Sequence, residues 1–140
     1  MWARSRAGRV NDMSSRIETA GVRVVVRPSW WAERSRPGEG VFAFSYAVEI
    51  TNLRDEPVRL TRRHWVIADA AGREEIVDGE GEIGQTPLLA PGKSFSYTSW
   101  AMLRTPYGSM RGHYTMERPD GETFEATIAE FALVQPNALN

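Results

Sequence analysis

Residues 41–52 read Val-Phe-Ala-Phe-Ser-Tyr-Ala-Val-Glu-Ile-Thr-Asn, and their alternation decides the fold. Phe42, Phe44, Tyr46, Val48 and Ile50 fall on one face at period two, against Val41, Ala43, Ser45, Ala47, Glu49 and Thr51 on the other. That is the period of a β-strand, and an apolar face this continuous belongs in the centre of a core.

Working outward, the same period recurs on both sides. Val22, Val24 and Val26 alternate with Arg23 and Arg27, a half-buried strand with an arginine-bearing outer face. Residues 28–40 then read as a loop, with Pro28, Pro37, Gly38 and Gly40 as turn residues and Trp30 and Trp31 lying in the connection. After a turn at 52–57, residues 58–69 form a strand with Val58, Leu60, Val66 and Ala68 on one face, Arg62 and His64 between them, and Arg59, Thr61, Arg63, Trp65 and Ile67 opposite. Ala70, Ala71 and Gly72 make a tight connection to a short return strand at 74–77. Residues 94–100 turn Phe95 and Tyr97 inward, and Met110, Gly112, Tyr114 and Met116 alternate with Arg111, His113, Thr115 and Glu117. In the last strand, 123–133, the apolar phase slips between Ile128 and Phe131, as a β-bulge requires.

No segment repeats apolar residues at helical spacing. About seven or eight short strands, with turns every ten or so residues, predict an all-β fold, an antiparallel β-sandwich of fibronectin type III or immunoglobulin-like kind. Residues 19–134 form that domain, residues 1–18 are expected to be a flexible leader with Met13 as an alternative start, and residues 135–140 a loose tail. The leader carries Arg4, Arg6, Arg9 and Arg16 but no apolar stretch of a secretory signal.

Bulk chemistry narrows function. Seventeen basic and eighteen acidic residues leave a net charge of −1, so no general field draws in nucleic acid or an anionic membrane. No apolar run approaches the roughly 20 residues of a spanning helix, which excludes a channel or pump built on helices. The chain has no cysteine. Thiol catalysis and thiolate metal sites are therefore excluded, and a cytoplasmic setting is expected.

The stretch 78–92 breaks the strand pattern. Gly79, Gly81 and Gly84 spell G-x-G-x-x-G, yet the motif runs into Gln85, Thr86 and Pro87, where a dinucleotide site needs a helix. Two readings stay open: glycines that permit positive φ or close approach in a bulged connection, or a loop anion site of backbone amides with Arg62 or Arg63. Asp78, Glu80 and Glu82 offer oxygen ligands for weak magnesium binding, while cobalt would want the imidazoles of His64 and His113. Catalysis has little support, Ser99 or Ser109 with His113 being a match of residue types alone. Arg63, Trp65, Trp30 and Trp31 are candidate partner-interface residues, since Arg and Trp make hot spots, with core packing the competing role of Trp65.

Taken together, Gly21-Val22-Arg23-Val24, Ile50-Thr51-Asn52, Arg63-His64-Trp65, Gly79-Glu80-Gly81 with Gly84 and Pro87, Pro91-Gly92, Thr105-Pro106, Gly108-Ser109-Met110 and the closing Phe131 and Leu133 resemble the ApaG family, domain of unknown function 525. Gln85 directly after Gly84, Ile83 in place of valine and Ala129 in place of proline depart from the family pattern. The resemblance implies a fibronectin type III-like sandwich. It also implies a module that binds a protein partner, because similar domains occur in eukaryotic F-box and polymerase-interacting proteins; with the little support for catalysis in the residues, that module is expected to be non-enzymatic and without a cofactor. The alternatives it carries are an indirect role in cobalt and magnesium homeostasis and a pyrophosphate site on the glycine loop.

Overall fold

The alternation of residues 41–52 holds in the computed structural model, which describes residues 13–137. There β3 (Phe42–Asn52) is an inner strand of a sheet ordered β1 (Ser15–Thr19), β2 (Val22–Trp30), β3 and β7 (Ser94–Leu103). A second sheet runs β5 (Glu74–Glu80), β4 (Val58–Asp69), β8 (Tyr107–Glu117) and β9 (Thr123–Val134), with β6 (Leu88–Leu89) also paired to β4. Every pairing is antiparallel. The inward residues of β3 meet Leu60, Trp65, Tyr114, Met116, Ile128 and Phe131 from the other sheet in one continuous apolar core. The chain is the all-β antiparallel sandwich that its period-two pattern predicts.

Four details depart from the sequence reading. Residues 15–18, assigned to the leader, belong to β1, which pairs Ser15 through Thr19 with Val26 through Val22; residues 1–12 of the expected leader and 138–140 of the tail lie outside the described residues. Strand β2 continues to Trp30, so Pro28 and Trp30 are in a strand and not in a loop. β1 ends its pairing at Val26, which leaves β2 an edge at Pro28, where a missing N–H is tolerated. The return strand reaches Glu80 instead of stopping at 77, so Asp78 and Gly79 are ladder residues.

The fourth concerns β4. Its register with β8 shifts between Leu60 and Arg62, so Thr61 is an extra residue. The bulge moves Trp65 to the face that carries Leu60, and Trp65 becomes a core residue, 2% exposed. The expected bulge in β9 is present: Met110 pairs with Phe131 and Gly112 with Ile128, and both Ile128 and Phe131 are buried.

Asn52 closes the end of the sandwich next to the glycine loop. Its buried side-chain amide donates to Glu56 O and to Leu89 O, each at 2.9 Å, and its Oδ1 accepts from Arg54 N. Asn52→Ala leaves those carbonyls without their donor, and we expect a loss of about 2 kcal/mol, since an unmade buried hydrogen bond costs about 1–3 kcal/mol. A denaturant melt within about 0.5 kcal/mol of the parent would show that water replaces the amide without loss.

Candidate functional site

The glycine motif is a strand, a turn and a second strand. Gly79 sits in β5 opposite Arg63, Gly81 and Gly84 take φ of 64° and 76°, and Glu82 and Gln85 form an antiparallel bridge before the chain enters β6. No helix follows, so no helix N-terminus faces a phosphate. A Cβ on Gly79 would stand 2.8 Å from the Arg63 guanidinium, so the glycine makes room for that side chain. Arg63 Nη1 donates to the carbonyls of Glu80 and Gly81, each at 3.2 Å, and Gly81 N donates to Thr61 O in the β4 bulge at 2.6 Å. The anion candidates are thus not brought to one point: Arg63 braces the loop from the core side, exposed Arg62 lies on the opposite face of β4, and Gly81 N is engaged.

The acidic candidates separate as well. Asp78 reaches outward to His64 Nδ1 at 2.6 Å, Glu80 is exposed, and Glu82 turns inward and is 6% exposed. Among the described residues, no group of three or more histidine or acidic side chains stands where it could hold one metal ion. His64 and His113 do meet, their rings stacked at 4.9 Å, but each nitrogen contact runs outward, His64 to Asp78 and His113 Nε2 to Glu125 at 3.4 Å.

The role of Glu82 as a buried anchor is what the sequence did not foretell. Its Oε2 accepts from Tyr97 Oη at 2.9 Å and Trp65 Nε1 at 3.4 Å, its Oε1 accepts from Ile83 N at 3.2 Å, and Arg63 Nε lies 3.9 Å away. Tyr97 is also hydrogen-bonded to Tyr114 Oη. Tyr97 belongs to the first sheet, Trp65 and Tyr114 to the second, so a carboxylate from the loop ties both sheets at the core. Burial raises the pKa of Tyr114 and Tyr97 well above the ordinary phenol value, Tyr114 and the Glu82 charge raise that of Tyr97 further, and burial also raises Tyr46.

Phenols with raised folded pKa values contribute stability that is complete below the unfolded value near 10 and is lost as pH climbs beyond it. We expect absorbance at 295 nm equivalent to three tyrosinates to appear only together with loss of β-sheet circular dichroism. Full tyrosinate absorbance from a still-folded chain would contradict this burial.

Beside this network the sandwich is open. β7 borders the first sheet and β5 the second, and between them runs a groove of about 340 Å³. Its floor is Tyr46, Trp65 and Glu82, its β4 and β5 wall includes Arg63, Ile67, Glu75 and Val77, and its other lip carries Trp100 and Met102, 57% and 47% exposed. The groove continues past Met102 toward Asp69, Arg73 and Arg104.

Comparison with known proteins agrees with the fold. The sequence profile of the family described as the ApaG domain, DUF525, matches residues 32–118. The chain belongs to the ApaG domain family. It is 52% identical over 122 residues to Protein ApaG of Anaeromyxobacter dehalogenans strain 2CP-C, covering 87% of this chain and 96% of that protein. Protein ApaG of Maricaulis maris is 48% identical over 120 residues, 86% of this chain and 92% of that one. A crystal structure of a Bordetella pertussis protein described as ApaA superposes with a TM-score of 0.81 at 44% identity, covering 83% of this chain and 94% of that one.

Within this ApaG domain the remaining sequence candidates scatter. Trp30 packs on Phe44 and Phe42 at centroid distances of 5.3 and 6.4 Å, Trp31 lies under the Arg34 guanidinium at 5.4 Å, and neither lines the groove. Ser109 Oγ donates to Glu130 at 3.0 Å and His113 faces Glu125, while Ser99 stands on the other sheet, so the serines and His113 form no catalytic set. No helix among the described residues is long and apolar enough to cross a membrane. The sequence reading passed over Met102 and the edge position of β7; its signal was available in Ser-Phe-Ser-Tyr-Thr-Ser-Trp-Ala-Met-Leu at 94–103, ten residues without a charge or a proline.

Proposed function

We propose that this ApaG-family chain is a non-enzymatic module that binds a protein partner through the groove between β7 and the β4–β5 wall, with the glycine loop shaping one end. The observation that supports it most is the pairing of exposed Trp100 and Met102 with an open, aromatic-floored groove, because large apolar side chains left in water beside a concave surface mark binding sites. The reading requires no cofactor. A cation role finds less support, since Glu82 is turned into the core and only Asp78 and Glu80 of the acidic set face solvent. A pyrophosphate role finds less as well, because Arg63 and the Gly81 amide already hold the loop.

The test places a photo-crosslinking amino acid at Met102 and, as a control, at Glu130 on the far sheet. A protein cross-linked from 102 and not from 130, binding the purified chain and losing at least tenfold in affinity on Trp100→Ser, is the expected result. Trp65 is unsuitable as an interface probe because its truncation opens the core. Capture of no protein, or binding indifferent to Trp100→Ser, refutes the reading.

A further inference from the structure

Free sheet edges expose unpaired backbone N–H and C=O groups, and proteins ordinarily guard them with charge, proline, bulges or cover. Three edges of this sandwich are managed. β9 approaches β1, where Thr127 N donates to Thr19 Oγ1 at 3.4 Å, so those two edges close on each other. β5 carries Glu74, Glu75, Asp78 and Glu80 along its length. The fourth, β7, pairs among the described residues with β3 alone, in an unbroken register from Phe42–Leu103 to Thr51–Ser94, and holds no charge, proline or bulge. It is ten residues long, and it overlooks the groove.

We infer that an extended segment of the protein partner adds as a strand to the free edge of β7, with its alternate side chains descending into the groove. This rests on the protein-binding reading above and specifies its mode. A strand joined to β7 lies above β5, so every second side chain meets Ile67, Val77 and the edge of Trp65, a wall that takes aliphatic groups. Glu75 is on the same wall, exposed and without an ion-pair partner among the described residues, so the segment carries a lysine or arginine in the groove-facing set. The occupant is not a second copy of this chain. Joining β7 to β7 would bring the two β5 strands to the same side, setting Glu74, Glu75, Asp78 and Glu80 of each against those of the other.

The test uses decapeptides selected from a randomised displayed library against the full chain. Selected sequences should repeat aliphatic residues at alternate positions with one basic residue, and Glu75→Lys should shift that residue to an acidic one. Of the neighbours Thr98 and Ser99, one N–H points to β3 and the other to the free edge, and free-state hydrogen exchange tells them apart. Peptide binding should slow exchange of the free-edge amides of β7 at least tenfold. Proline at the free-edge member of that pair should weaken binding at least tenfold while the melting temperature holds. Failure to select any such peptide, binding without protection of β7, or protection caused by self-association in sedimentation overturns the inference. A partner cross-linked at 102 that leaves β7 amides unprotected removes strand addition alone; absence of any cross-linked partner removes the module reading with it.

Discussion

Gly81→Val should lower stability by about 4 kcal/mol and the melting temperature by about 10–15 °C, because roughly 1 kcal/mol shifts a domain of this size by a few degrees. Two costs add. Gly81 has φ of 64°, where a β-branched residue is strained by about 1–3 kcal/mol. Its Cβ would also stand 2.1 Å from Gln85 O and 2.9 Å from Gln85 C, backbone atoms that cannot swing aside as a side chain would. Relief requires opening the Glu82–Gln85 bridge and stretching the 2.6 Å bond from Gly81 N to Thr61 O. Gly84→Ala is the control: φ is 76° there, but nothing lies within 4 Å of the added Cβ, so only the conformational cost of about 1 kcal/mol remains. Calorimetry showing equal, small shifts for both variants would mean that the Gly81 site relaxes, and the glycine would lose its structural explanation.

What the sequence disclosed and what it hid divide along a physical line. β3 and the β9 bulge were legible because large apolar residues report inward positions one by one, and the slip from Ile128 to Phe131 is visible in that record. The β4 bulge left no such trace. Between Leu60 and Trp65 stand Thr61, Arg62, Arg63 and His64, all polar, so either phase fits until the partner strand is known. β1 hid for a related reason: Ser-Arg-Ile-Glu-Thr offers one apolar residue, and its place is set by β2 and not by its own pattern. Trp65 packs in the core, in contact with Tyr46, Tyr114 and Phe131, which its polar neighbours in the sequence did not disclose. Glu82 was illegible as an anchor because its partners lie at 65 and 97, on strands brought together only by the completed topology. Edge status, which makes β7 a candidate surface, is likewise a property of sheet order.

Glu82→Ala should cost about 3 kcal/mol, the scale for removing one partner from a buried charged network. The loss is distributed: Tyr97 Oη loses its acceptor, Trp65 Nε1 keeps a buried donor with nothing to receive it, and the Ile83 amide returns to water. Because these groups sit on both sheets, the defect should appear as looser contact between β7 and β4 and not as local fraying. Native-state exchange offers the sharpest reading. The Gly81 amide, held by Thr61 O, should exchange at least tenfold faster in Glu82→Ala, since the carboxylate that fixes the turn from inside is gone. Glu82→Gln retains one side-chain oxygen to accept from Tyr97 and should fall between parent and alanine, at about 1 kcal/mol. If alanine and parent melt together and the Gly81 amide keeps its protection, the loop holds its shape through backbone bonds and Arg63 alone. If the predicted order of parent, glutamine and alanine is found, the acidic loop owes its shape to one residue that leaves the solvent. The groove floor then depends on the same residue, which couples the geometry of the binding surface to the seam between the sheets.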